Sequence, residues 1–236
     1  MKKSINTLVI AMCLVITFSA CKESTDKRKN DLLKKYQKMR DVNDLTSACF
    51  YLQEYLFMDT TKIEYYDSLA RHFVMLDNVL AAEAMAKRVV ETQPLNEDMQ
   101  TLLAQVDFQK GDMLTGMSRF DKLFEATKNY KFIFNKGLVY AQTGQANKTL
   151  EVVDQLLAVP DNEVKTITVK KVSDPSANQD VKIKSAALFL KAYAYLGGQN
   201  PDRKAAYPFL EQSILLQRDF EMAQAIAQEA YPQGSK

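Results

Sequence analysis

The sequence has no Trp and a single His, His72. One imidazole excludes a two-histidine metal site and any histidine base oriented by a second histidine. Gly and Pro are also scarce, at 7 and 6 in 236 residues. So few breakers argue against many short strands joined by tight turns, and favour helices. Only three Cys are present. Cys13 and Cys21 lie in or at the end of an N-terminal apolar stretch, which leaves Cys49 alone in the body. A disulfide framework is therefore excluded, and Cys49 reads as a small buried hydrophobe. No phosphate-cradling Gly-rich loop followed by Lys and Ser or Thr occurs. Gly197-Gly198 precedes Gln-Asn-Pro-Asp and reads as a turn.

Charge of one sign is lacking too. The formal balance is +2, and removal of Lys2 and Lys3 with a cleaved leader leaves 29 basic against 29 acidic side chains. A neutral body has no net charge to set against phosphates, so a nucleic-acid partner is not expected. The aromatics Tyr130, Phe132 and Phe134 cluster with one lysine, Lys131, between them, and read as core or groove lining rather than a nucleic-acid platform. Carboxylates occur singly on helix faces. Glu97 and Asp98 fit the start of a helix, where they favour its dipole. No cofactor, no metal and no enzymatic activity are expected, and His72 reads as a satisfied structural residue.

The N-terminus is informative. Met-Lys-Lys is followed by an uncharged run from Leu8 to Phe18 and then Ser19-Ala20-Cys21. A basic start, a short apolar stretch and small residues before a cut site define a secretory leader. The run is too short for a comfortable transmembrane helix. Phe18-Ser19-Ala20-Cys21 resembles the bacterial lipobox, although Leu is more usual at Phe18 or Thr17. That resemblance implies cleavage after residue 20 and lipidation of Cys21. With Lys22 rather than Asp next, it also implies the outer membrane of a bacterial cell envelope. Several acyl chains would hold the protein firmly, at about 0.8 kcal/mol per buried methylene. Residues 21–30 read as a polar tether. Lys27, Arg28, Lys29, Lys34, Lys35, Lys38 and Arg40, with the single acid Asp31, form a basic patch. It suits either a solvated helix face or anionic head groups.

Helix-length apolar patterns then recur, as they must when no single helix pair can hide its apolar side alone. Leu69, Phe73 and Leu76 with Leu80, Met85 and Val89 trace one pair. Leu103, Val106 and Phe108 with Met113, Met117 and Phe120 trace a second. Val139 and Tyr140 with Leu150, Val153, Leu156 and Leu157 trace a third. Gly111 and Gly144 stand 33 residues apart where helices must end and reverse. Pro94 and Pro160 follow second helices.

The pattern resembles the tetratricopeptide repeat, a 34-residue helix-turn-helix. Tyr66, Leu69, Ala70, Phe73, Ala82, Ala86 and Pro94 fit one unit, with Asn78 in place of the turn Gly. Leu103, Ala104, Phe108, Gly111, Gly116 and Phe120 fit the next. Gly137, Tyr140, Gly144, Val153 and Pro160 fit a third. Ala192, Tyr193, Gly197, Ala206, Leu210 and Ser213 suggest a fourth, with extra residues in its turn. Ala48, Leu52 and Tyr55 suggest a degenerate opening unit. The expected fold class is all-α, a helical solenoid of about four repeats over 31–231 with a tail at 232–236. The helix holding Phe220, Ala223 and Ile226 would cap it. One insertion, about 163–182, breaks the period. Thr166-Ile167-Thr168-Val169 alternates like a strand, Ser173-Asp174-Pro175-Ser176 is a turn signal, and Val181 and Ile183 suit a return strand.

The resemblance implies function as well. In that family the first helix of each repeat lines a concave groove. Carried over, the groove positions are Asp67, Arg71 and Val74; Thr101, Gln105 and Phe108; Phe134, Leu138 and Ala141; and Ala187, Lys191 and Ala194. The function expected is a membrane-anchored scaffold for protein–protein interaction in the cell envelope. Its partners would be other envelope proteins or peptides. A binding lipoprotein for a glycan or peptidoglycan fragment is the alternative.

Overall fold

The computed structural model describes residues 25–174, 177–197 and 200–231. The leader, the lipidation position Cys21 and the tail at 232–236 lie outside the described residues. The first helix, α1, is in place from residue 25 to 41, so it already occupies part of the stretch expected as a tether. It is followed by α2 (Leu45–Met58), α3 (Ile63–Met75), α4 (Val79–Thr92), α5 (Glu97–Gln109), α6 (Met113–Thr127), α7 (Lys131–Gln142) and α8 (Ala146–Leu157). A hairpin of β1 (Thr166–Lys170) and β2 (Asn178–Lys182) precedes α9 (Ile183–Leu196), α10 (Arg203–Leu216) and α11 (Glu221–Ala230). The chain divides into two units, with the boundary after Val106 inside α5. The fold is all-α helix-turn-helix with a small two-stranded sheet.

The turns explain the repetition. Asn43, Asp77, Gly111 and Gly144 all have positive φ, between 55° and 81°. They follow one another at 34, 34 and 33 residues. At each, the next residue donates its N–H to the carbonyl five residues back: Asp44 to Met39, Asn78 to Phe73, Asp112 to Asp107 and Gln145 to Tyr140, all at 2.8 Å. This is the bond that closes a helix with one left-handed residue and satisfies a carbonyl left over by the last turn. In three of the turns the same residue also starts the next helix. The side chains of Asp44, Asn78 and Asp112 accept from the N–H groups of Ser47, Ala81 and Thr115. One dipeptide thus ends a helix and caps its successor. The opening unit expected at Ala48 is therefore a full pair, α1–α2, and Asp77 takes the left-handed place that Gly holds in later units.

In the first unit the core is built from Leu32 and Tyr36 of α1, Leu52 and Tyr55 of α2, Leu69 and Phe73 of α3, and Val89 of α4. Ala48, Ala70, Ala82 and Ala86 are fully buried, and their small size lets the helices approach closely. Cys49 is buried as expected, and burial pushes its thiol pKa up.

In the second unit Phe134, Phe189 and Phe220 share one core with Val153, Leu156 and Leu210. Gly137 is required there. A Cβ on it would lie 2.6 Å from Leu190 Cδ1 and 2.9 Å from Val152 Cγ1. Ser185 and Ser213, both buried, bridge α9 and α10 by donating to each other's carbonyls at 2.9 and 2.8 Å. Small residues with hydroxyls here give close approach without an unpaired polar group.

The insertion is a hairpin in antiparallel register, Thr168 opposite Asp180. Ile167, Val169 and Val181 point into the second unit's core, and Thr166, Thr168 and Lys170 point out. Ile183 is not in the return strand; it opens α9. Polar side chains at the end of α10 and the start of α11 hold the hairpin. Gln217 bonds Lys182 and Asp180, and Glu221 takes the N–H and hydroxyl of Ser173. Those bonds hold the Glu221 carboxyl pKa below its ordinary value, and Lys171 adds to them.

Candidate functional site

The twelve groove positions fall into two groups, one in each unit. In the first unit Asp67, Arg71 and Val74 recur at helical spacing on α3, as Asp98, Thr101 and Gln105 do on α5. The structure ties these stripes together. Arg71 Nε donates to Asp67 Oδ2 at 2.7 Å and its Nη2 to Asp98 Oδ2 at 2.8 Å. Asp67 above all, then Asp98, holds the guanidinium even more firmly protonated than usual. Val74 is 50% exposed, Gln105 is exposed, and the Thr101 hydroxyl donates to the carbonyl of Glu97. The result is a fixed, two-helix polar surface with one apolar side chain in the open.

From the sequence Asp98 reads only as a first-turn acid, and it does stand in the first turn of α5. The signal that would have found its second role is its place three residues before Thr101, which puts it on the stripe facing Arg71.

The second unit corrects the other group. Phe134, Ala141, Ala187 and Ala194 are buried, so none lines an open surface in this chain. The reason is that α7 packs against α9 as well as α8, so these faces meet each other. Phe134 and Phe189 have ring centroids 6.3 Å apart. Leu138 is half-buried and packs against the same core. Phe108, also half-buried, lies against Gly116 and Phe120. Lys191 sets its ammonium 4.4 Å from the centre of the Phe209 ring, which stacks on Tyr195. That is a cation–π contact within the fold.

His72 is structural but not satisfied. Its ring is half-buried beside Tyr36, and Nδ1 is buried with no hydrogen-bond partner among the described residues. Burial first, then the positive charge of Arg40, lowers its pKa. Among the described residues no cluster of His, Cys, Asp or Glu has the makings of a metal site. No described helix is long and apolar enough to cross a membrane. Of the basic patch, Lys29 pairs with Asp59, Lys35 with Asp31 and Arg28 with Glu54, while Lys27, Lys34 and Lys38 are exposed.

Similar folds are known. The chain is similar to the crystal structure of MamA protein, with a TM-score of 0.57 at 13% identity, covering 88% of this chain and 97% of that one. The fold is that of tetratricopeptide-repeat proteins. It is similar also to YrrB, described as a TPR protein with an unusual peptide-binding site (TM-score 0.50, 16% identity, 82% of this chain and 88% of that one). A third similar structure is TTC0263, a thermophilic TPR protein of Thermus thermophilus (TM-score 0.50, 17% identity, 86% and 98%). No protein-family model matches the sequence, and no curated protein matches it.

Proposed function

We propose that this protein is a lipid-anchored scaffold of the bacterial cell envelope that binds protein partners on the α3–α5 face and carries out no chemistry. The observation that carries the binding role is the surface made by Asp67, Arg71 and Val74 with Asp98, Thr101 and Gln105. The shared core of Leu69, Phe73, Met99 and Leu103 sets α3 and α5, and Arg71 bridges them at the surface, so a partner meets side chains already oriented. Val74 offers an apolar contact beside the Asp67–Arg71–Asp98 bridge, and Gln105 offers an exposed amide. A short helix or extended peptide with one apolar side chain flanked by polar ones fits this chemistry. A similar fold, YrrB, has a peptide-binding site in its description, which supports the same class of ligand.

The anchor rests on the sequence. The basic start, the apolar run and Ser19-Ala20-Cys21 support cleavage and lipidation, and Lys22 supports the outer membrane. The exposed Lys27, Lys34 and Lys38 would then stand close to the bilayer.

A photo-crosslinking residue placed at Val74 or Gln105 in living cells tests the binding role. It is expected to trap a discrete protein partner, whereas the same probe at exposed Ala84 on α4 is not. Equal crosslinking from all three positions, or none from any, would refute the assignment of the face.

A further inference from the structure

Two phenylalanines stand in the open on α2. Phe57 is 83% exposed and Phe50 56%. Seven residues apart, they fall on one face, two turns from each other. Single apolar side chains are common on protein surfaces. Here, however, the neighbouring helix is basic. Lys27, Lys34 and Lys38 recur at helical spacing on the outer face of α1, and all are exposed. The two faces are joined. Arg28 pairs with Glu54 at 3.9 Å, the Lys35 ammonium lies 5.8 Å from the centre of the Tyr51 ring, and that ring meets Phe50 edge-on at 5.5 Å. The carboxylates nearby are already matched, Asp31 by Lys35 and Asp41 by Arg40. The face therefore keeps a net positive charge beside two bare rings.

We infer that the α1–α2 face lies on an anionic lipid surface, with Phe50 and Phe57 entering the head-group boundary and Lys27, Lys34 and Lys38 meeting lipid phosphates. This rests on the lipid anchor proposed above, and the place of the anchor is what commits the face to lipid. Cys21 stands four residues before residue 25, where α1 begins. Four residues span at most about 14 Å. An acylated Cys21 thus keeps the start of α1, with Lys27 and Arg28, against the head groups. The end of α2 returns to the same place, because Lys29 donates to Asp59 at 3.0 Å. Phe57, the more exposed ring, therefore stands at the anchored end. Cations around exposed aromatic side chains suit the boundary of an anionic bilayer, where charge attraction and apolar burial add. Alone the contact is weak and reversible, so it orients an anchored protein and does not hold an unanchored one in place.

The chain from residue 21 onward, which holds every described element, tests the face apart from the anchor when it carries Cys21→Ser and so no lipid. It is expected to sediment with vesicles of phosphatidylcholine and phosphatidylglycerol at low salt, less so at high salt, and far less with phosphatidylcholine alone. Lys27→Gln, Lys34→Gln and Lys38→Gln together are expected to weaken binding about a hundredfold. The sequence has no Trp, so Phe57→Trp gives a single reporter. Its emission is expected to shift to the blue on the mixed vesicles, while that of Val74→Trp on the α3–α5 face stays as in water. No sedimentation at low salt, binding indifferent to the three lysines, or equal shifts from both Trp positions would overturn the inference. Fatty-acid labelling of the wild type reads the anchor separately. Label on Cys21 without vesicle binding by the Cys21→Ser chain removes the face and leaves the anchor; vesicle binding without label removes the anchor and leaves the face.

Discussion

The N–H of Asn78 donates to the carbonyl of Phe73 at 2.8 Å, across a turn in which Asp77 holds a left-handed backbone. The same bond recurs at three other turns with Asn43, Gly111 or Gly144 in the left-handed place. A side chain costs about 1–2 kcal/mol in that conformation. Gly111 has no neighbour within 4 Å of an added Cβ, so Gly111→Ala isolates the backbone term. It is expected to destabilise the protein by about 1 kcal/mol. Asp77→Gly is expected to change stability in the opposite direction. Urea unfolding of both variants checks this pair.

Core and surface separate the two groups of groove positions. Phe134→Ala is expected to cost about 3–5 kcal/mol, because a fully buried ring leaves a cavity. Val74→Ala should stay within about 0.5 kcal/mol, as an exposed position does. Comparable losses from both in thermal unfolding would mean that the burial assigned to one of them is wrong.

His72 makes stability depend on pH. Its folded-state pKa is lowered, so the unfolded chain binds the proton more readily. The stability this contributes is whole above the ordinary imidazole value of about 6.5 and is lost as pH falls through the lowered folded value. Between about pH 7 and 5 the wild type should therefore lose more stability than His72→Gln. Parallel curves for the two proteins would contradict the buried, unpaired Nδ1.

Asp59 titrates early for a different reason. The Thr61 hydroxyl, the Lys29 ammonium and the Thr61 N–H all bond its carboxylate and bring its pKa down to about 2. Its contribution to stability is present above the ordinary aspartate value and lost as pH falls toward about 2. NMR titration of the carboxyl carbon reads this directly, and Thr61→Val should move the midpoint up.

Cys21→Ser is expected to abolish incorporation of labelled fatty acid and to move the protein from the membrane to the soluble fraction. Retention in the membrane without label would mean that the leader stays attached.

Much of the fold could be read in the sequence because its causes are local. Apolar spacing marked the helix pairs, Gly111 and Gly144 marked turns, and the Thr-Ile-Thr-Val alternation marked β1. Asn43 and Asp77 were harder, since a left-handed Asn or Asp leaves no signature as plain as Gly. The candidate site was half legible. Asp67, Arg71 and Val74 were given by the resemblance to the repeat family, but Arg71 meets Asp98 across 27 residues of chain, at a position the family's groove set does not include. The family's groove positions failed at Phe134, Ala141, Ala187 and Ala194 because α7 and α9 close on each other in the second unit. Long-range polar clamps such as Gln217 on β2 were equally invisible.

Recovery of a partner from detergent extract, compared between wild type and Val74→Asp, bears most directly on the scaffold role. One discrete protein should accompany the wild type and be lost with Val74→Asp, while both chains keep the same helical content and unfolding midpoint. A partner retained by Val74→Asp would contradict the α3–α5 face as the binding surface.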